Sequence, residues 1–580
     1  MQVEDICQLP LGQVIQMAEQ LLRTGRAQDA AGLYAIWGRG AHAPERHVAF
    51  FNQGVIHLNL GDMASAEAAY RESLQLLPNF PQARINLGLL LERQAQYDAA
   101  LAQWAQVHDD VAMQVVALNH SARLLESRRQ YARAQDLLTQ SLQLNPQQPD
   151  AIQHWVHLRQ KQCKWPVMQA MPGVSVNNML AHTSPLAMLS LQDDPALQML
   201  AAKLFVQRKY NLPMTRLCPA QGYTHSRVRL GYLSGDLCTH AVGLLLADLF
   251  ESHDRERFEV FAFDYSPEDG SPYRARLKQA FEHFVPIAHL SDAQAAQCIA
   301  DHEIDILIDL HGLSLGARPG ILAQRPAPHQ GTYLGFMGTT GFAWIDFVVT
   351  DRFAFPESLV PYYSERPLYV EGSLLPMTHE PVVACTETRQ DLGLPDDALV
   401  LACFNNVYKF NPTLFGVWMR VLAQVDDAVL WVLDDNDSAT EQIKQHVRDH
   451  GIAPERVVFA KRTSHANYRA RLQLADLYLD TTPYNAGSTA RDVLDAGLPM
   501  VTLSGRTVVS RMAGSLLSAM GLESLVTHDV ASYEALILAL AQDRARLASV
   551  RHTLLQSHGQ RAQASARLAR SLEAQLQTLL

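Results

Sequence analysis

Small, aromatic and proline positions recur every 34 residues through the first quarter of the chain. Gly54, Gly88 and Ala122 fall in one register, and Ala66, Ala100 and Ala134 in a second. Tyr70, Trp104 and Leu138 form a third, while Pro44 lies one period before Pro78 and Pro146 two periods after it. A period of this length holds two helices and their turns, and one such unit cannot bury its apolar face alone. Small residues stand where two helices approach closely, and large ones fill the gap to the neighbour. Proline stands where the second helix must stop. The first 160 residues are therefore constrained to a stacked helical array.

The pattern is that of tetratricopeptide repeats. "FNQGVIHLNLGDMASAEAAYRESLQLLPNF" carries nearly the whole consensus, and residues 14–44 form a degenerate first repeat with Gly25, Ala30, Tyr34 and Pro44. The alternative is an unrelated helical bundle, against which three coincident registers argue. Solenoids of this kind offer a concave surface, so a protein or peptide partner docked in that groove is expected.

The chain has 580 residues, more than one core accommodates. Residues 161–226 read as a helical connecting segment, with "DDPALQMLAAKLFVQRKYN" as its best helix. From Arg227 the texture changes to short apolar β-rich runs alternating with helical ones. "RVRLGYLS", "FEVFAFDY", "IDILIDLHG", "HQGTYLGF" and "DFVVTD" are strand candidates over residues 227–380. "ALVLACFN", "AVLWVLDD", "RVVFAK", "LYLDT" and "PMVTLSG" follow over residues 381–580, after the linker "PMTHEPVVACTETRQDLGLPDD". Alternation of strands and helices predicts two parallel sheets with covered faces. Ligands of such sheets bind at the carboxyl ends of the strands, so a cleft between two α/β domains is expected.

Composition narrows the partners. Hydrophobic residues make up 48% and charged residues 18%, and the net charge is −11, which argues against a general nucleic-acid binder. Seven scattered cysteines without a CxxC pair suggest neither a zinc knuckle nor a disulfide framework, and a reducing compartment fits. The N-terminus lacks the basic and apolar regions of a signal peptide. No run of about 18 apolar residues suggests a membrane span. A cytoplasmic protein that contacts no membrane is the expectation.

GxGxxG after a first strand, GxxxxGK[ST] and HExxH are all absent, which argues against dinucleotide, P-loop and zincin readings. What remains lies at strand ends. His240 follows the first strand and precedes an apolar helix, where an imidazole can bind a substrate phosphate or hydroxyl or act as a base; it can equally be a helix cap. Asn405, Asn406 and Lys409 cluster after the first strand of the second block, and a compact ammonium suits a diphosphate; a surface lysine is the plainer alternative. In "LDTTPYNAGSTARDVLDAG", Ser488 and Thr489 stand where a helix begins, and its free N–H groups favour an anion. Asp492 lies about one turn further, where a carboxylate can accept ribose hydroxyls. An ordinary capped helix explains the same residues.

Taken in order, "LGYLSGDLCTH", "IDILIDLHG", "RPAPHQGTYLGFMGTTG", "DFVVTD", "CFNNVYKFNP", "LADLYLDTTPYNAGSTARDVLDAGLPMVTLSG" and "SRMAGSLL" resemble the O-linked N-acetylglucosamine transferase and SPINDLY group of glycosyltransferases. The resemblance covers nearly the whole chain. It implies a tetratricopeptide α-solenoid followed by an α/β GT-B region of two Rossmann-like domains. It also implies metal-independent, inverting transfer of a sugar from UDP-GlcNAc to Ser or Thr of a protein. His240 matches the family histidine near the reacting sugar, and Lys409 the lysine that neutralises the diphosphate leaving group. Asn406 matches a position facing the same phosphates, and Ser488 and Thr489 match the Thr-Thr pair there. Asp492 matches the ribose-binding aspartate, and Tyr468 and Arg471 match positions beside the nucleobase.

Two departures bear on the donor. His240-Ala241-Val242 replaces His-Pro-Thr, and Gly487-Ser488-Thr489 replaces His-Thr-Thr. A glycine at that point is similar to the SPINDLY branch, which uses GDP-fucose. The resemblance therefore leaves GDP-fucose O-fucosyl transfer and UDP-glucose transfer to asparagine beside the first reading. A non-catalytic tetratricopeptide scaffold is the alternative from another class.

Overall fold

The computed structural model describes residues 2–377, 382–556 and 563–580. Residues 378–381 of the expected linker lie outside this set. The chain forms two compact units, one of residues 1–158 with 170–175, the other of residues 159–169 with 176–580.

The first unit is built of helix pairs, among them Arg46–Asn59 with Met63–Leu76 and Pro81–Arg93 with Tyr97–Trp104. The 34-residue registers acquire a steric cause here. A Cβ on Gly54 would lie 2.6 Å from the Tyr70 ring, and one on Gly88 would lie 2.2 Å from Trp104 Nε1. Tyr70 and Trp104 are fully buried, so each glycine makes room for the aromatic residue of its own repeat. Asp62 and Asp110 cap helices by accepting from the Ser65 and Met113 amides, which fixes where they start.

The second unit opens with three helices, Val176–His182, Pro185–Leu191 and Pro195–Lys209. A lobe with seven parallel strands follows: β1 (Val228–Ser234), β2 (Phe258–Asp264), β3 (His283–Pro286), β4 (Ile306–Asp309), β5 (His329–Thr332), β6 (Phe347–Asp351) and β7 (Arg366–Val370). Their order is β3-β2-β1-β4-β5-β6-β7. The second lobe has β8 (Leu399–Cys403), β9 (Ala428–Leu433), β10 (Val457–Ala460), β11 (Leu477–Leu479), β12 (Met500–Leu503) and β13 (Val526–Thr527), ordered β10-β9-β8-β11-β12-β13. All pairings are parallel, with Leu230 opposite both Val260 and Ile306, and Leu401 opposite both Leu430 and Leu477. The order turns back between β1 and β4 in one sheet and between β8 and β11 in the other. These switch points open a crevice at the strand ends.

The ten expected strands are present. β3, β7 and β13 are additional, and all three are edge strands. The helix Ala564–Gln577 follows the second lobe in sequence but packs on the first, where Leu568, Leu572 and Leu576 enter the core with Tyr232 and Phe250. Among the described residues no helix is long and apolar enough to cross a membrane.

Candidate active site

The crevice receives side chains from both switch points. On the first lobe, β1 runs into Gly235 and Asp236, and His240 then caps the helix Ala241–Glu251. His240 Nδ1 lies 3.3 Å from Asp236 Oδ2 and 3.4 Å from the Val242 amide. A protonated Nδ1 donates to Asp236, and a bare one accepts from the amide. Asp236 Oδ2 is also 3.5 Å from Nε2 of the buried His311, just past β4. His311 Nε2 accepts from the Gly235 amide at 2.9 Å, so its proton sits on Nδ1, 3.0 Å from Ser314 Oγ. Desolvation lowers the His311 pKa, which favours its neutral ring.

On the second lobe, β8 leads into Asn405, Asn406 and a tight turn ending at Lys409. Lys409 Nζ donates to Asn485 O at 3.0 Å and sits 3.9 Å above the Tyr484 ring. Desolvation pulls this ammonium down to about 8, partly opposed by Asp480. Asp480, at the end of β11, is fully buried. It accepts from the Thr481 and Ala486 amides, each at 2.8 Å, from Asn405 Nδ2 at 3.1 Å and from Thr502 Oγ1 at 2.6 Å. Burial still raises its pKa to about 6. The loop 480–487 is thus wound around one carboxylate, and it presents Tyr484 and the Asn485 carbonyl to Lys409.

The helix Ser488–Asp495 follows with Gly487 at its N-cap and no side chain capping it. The ordinary capped-helix reading therefore does not describe this turn, and its first amides are left for an anion. Asp492 is nearly fully buried and hydrogen-bonded to His465 Nε2 at 3.0 Å. Burial works against its charge, but the His465 hydrogen bond and the Arg491 and Arg469 guanidinium groups outweigh it and hold the carboxyl below its usual range.

Two cavities result. One, of about 500 Å³, is lined by His240, Asp236, Lys409, Gly487, Ser488 and Thr489, together with apolar residues of both lobes. The other, of about 340 Å³, is lined by Phe404, His465, Tyr468, Arg471 and Thr489, among others. Thr489 lines both. The structure thus brings His240, Lys409, Ser488 and Thr489 to one cavity, and Tyr468 and Arg471 to the second. Asn406 lines neither, although its buried Oδ1 lacks a hydrogen-bond partner. Asp492 also lines neither and stands behind His465. Arg471 clamps Glu387, with Nε–Oε2 2.5 Å and Nη2–Oε1 2.6 Å, so it holds the incoming linker against the cavity wall. Tyr468 packs edge-on against Phe404. Among the described residues no group of three or more His, Cys, Asp or Glu is placed to hold a metal ion.

Sequence reading passed over Asp236, His311, His465 and Asp480. Asp480 carried a usable signal, an acidic residue ending an apolar strand at the head of a Pro/Gly turn. His311 and His465 carried none, because only their partners distinguish them from other histidines.

The model of glycosyl transferase family 41 matches residues 181–384 and 377–567. The chain belongs to glycosyl transferase family 41. A tetratricopeptide repeat model matches residues 47–80 of this family 41 chain. The chain is 34% identical over 328 residues to the probable UDP-N-acetylglucosamine–peptide N-acetylglucosaminyltransferase SEC of Arabidopsis thaliana, covering 55% of this chain and 34% of that protein. It is 26% identical over 462 residues to the UDP-N-acetylglucosamine–peptide N-acetylglucosaminyltransferase of Caenorhabditis elegans, covering 60% of this chain and 40% of that one. It therefore spans well under half the length of these curated relatives. Its fold matches that of a Thermobaculum terrenum O-GlcNAc transferase mutant, with a TM-score of 0.65 at 24% identity, over 92% of this chain and 98% of that one. The expected arrangement, helical repeats followed by a GT-B pair of Rossmann-like lobes, is the observed one.

Proposed function

We propose that this chain is an inverting protein O-glycosyltransferase that moves N-acetylglucosamine from UDP-GlcNAc to a Ser or Thr hydroxyl. The observation that carries the reading is the pair of cavities sharing Thr489, one with cationic and helix-terminal groups, the other with aromatic walls. The nucleoside lies in the second cavity beside Tyr468 and Arg471, and the ribose meets His465, which Asp492 orients. The diphosphate crosses at Ser488 and Thr489, and the sugar enters the first cavity near His240.

The acceptor oxygen attacks the anomeric carbon from the face opposite the leaving group. The bond from that carbon to the β-phosphate oxygen breaks, UDP departs with the electron pair, and the hydroxyl proton passes to a base at the His240 side. Lys409 and the free amides of the helix Ser488–Asp495 meet the charge that grows on the phosphate, which stabilises the transition state more than the ground state. Asn406 supports the same phosphates from behind the turn. In this reading Lys409 does the work a divalent cation does elsewhere, so transfer proceeds undiminished with a chelator present. The acceptor docks on the tetratricopeptide groove, and the enzyme acts in the cytoplasm.

One observation favours a second donor. Gly487 has an ordinary negative φ, and a Cβ there would meet nothing nearer than Met512 Cε at 3.9 Å. The open space this leaves beside the phosphates is free to set donor choice, GDP-fucose included. Hydrolysis measured over a panel of UDP and GDP sugars tests both. UDP-GlcNAc turning over best supports the first reading, a GDP sugar turning over best replaces it, and no turnover with no UDP binding favours the scaffold.

A further inference from the structure

The helix Ser488–Asp495 carries a residue that the reaction as proposed does not use. Arg491 is 4% exposed. Its Nη1 donates to Leu244 O at 2.7 Å, in the helix Ala241–Glu251 of the other lobe. Its Nη2 faces Asp492 Oδ1 at 3.4 Å. Arg469 Nε and Asp495 Oδ2 flank the pair at 3.6 Å from Asp492 and 4.0 Å from Arg491. The Leu244 carbonyl also accepts from Tyr273 OH at 3.1 Å.

One guanidinium therefore touches both walls of the crevice. The Leu244 amide donates back to His240 O at 2.9 Å, so a shift of Leu244 is carried to His240 by the first helical hydrogen bond. On the other side, Asp492 orients His465, which lines the second cavity. We infer that Arg491 is an interlobe positioning residue that sets the placement of His240 against the donor-binding helix, and that it reports occupancy of the nucleotide cavity to the acceptor side. This rests on the reading of the two cavities as one donor site. The lobes are also joined by Arg511 Nε to Phe353 O at 2.7 Å and Ser515 Oγ to Asp351 Oδ2 at 2.6 Å, so loss of the Arg491 bond alone does not separate them.

The full chain with Arg491→Met or Arg491→Lys is the test. Lysine keeps a cation beside Asp492 but cannot reach two acceptors with a guanidinium fork. The inference predicts that kcat for donor turnover falls about tenfold or more in both variants, while the UDP Kd of Arg491→Lys rises no more than about threefold. It also predicts faster amide hydrogen exchange in residues 241–251 of the variants. In the wild type, added UDP slows exchange in that same helix. A fall in kcat matched by an equal loss of UDP affinity overturns the inference. So does unchanged exchange in 241–251, whether after substitution or on adding UDP to the wild type. A wild type that binds no UDP and turns over no nucleotide sugar instead defeats the transferase reading, and the exchange comparison without nucleotide still decides the interlobe tie.

Discussion

Lys409 and Asp480 form an electrostatic pair at the floor of the proposed phosphate site, and their protonation sets a pH dependence with a definite sign. Lys409 titrates at about 8 because desolvation disfavours its charge. As pH rises through that value the ammonium loses its proton, and UDP affinity falls with it. Asp480 is one of the groups that holds the proton on Lys409. Asp480→Asn removes that charge while leaving an oxygen for the Thr481 and Ala486 amides, so the midpoint of UDP binding moves to lower pH. Calorimetry with UDP across the alkaline range checks both. The Asp480 pKa lies at about 6 against an ordinary 3.8, so the folded state holds this proton more tightly than the unfolded one. Its contribution to stability is present at low pH and is lost as pH rises through about 6. Lys409, Ser488 and Thr489 were legible in the sequence because a cation, a hydroxyl pair and a helix start are local features. Asp480, His465 and Arg491 were not, since their roles come from partners brought close only by the fold.

Elements follow the same division. Ten strands were legible as apolar runs, the edge strand β10 among them, but β3, β7 and β13 were not. β3 and β7 expose part of their residues and β13 is two residues long, so no sustained apolar run marks them. The repeat helices were legible because the spacing of Gly54 and Gly88 mirrors that of Tyr70 and Trp104. Gly88→Leu drives a side chain into Trp104 and costs the repeat unit about 1–3 kcal/mol, to be read as a lower melting transition of the chain. The helix Ala564–Gln577 and its docking on the first lobe were not legible. Glu573, fully buried, accepts from His253 Nδ1 at 2.9 Å, the Asp254 amide at 3.0 Å and Arg570 Nη2 at 2.8 Å. Tyr232 OH meets the other nitrogen of His253 at 2.8 Å, and burial lowers the His253 pKa, so the imidazole stays neutral and donates to the carboxylate. Glu573→Ala strands these donors and lowers stability by about 3 kcal/mol, measured by chemical denaturation. Glu573→Gln keeps an acceptor and costs less.

At the scale of the whole molecule, the second unit is built on two parallel sheets whose switch points face one crevice. That geometry explains why residues as far apart in sequence as Asp236, Lys409 and Ser488 line one cavity. The family, the repeats and the GT-B pairing were legible from motif order. The two-cavity form of the site was not, because it depends on which strand ends face each other and on Thr489 standing between the cavities. The role proposed for Lys409 is to stabilise a leaving diphosphate in sugar transfer to protein. It is tested most directly by mass spectrometry of proteins co-expressed with the wild type or with Lys409→Ala. An N-acetylhexosamine mass gain on Ser or Thr is expected with the wild type. The expected rate is lower by about 10²–10³-fold for a Lys409→Ala variant that melts like the wild type. Wild-type modification by that variant, or no modification by either, would contradict it.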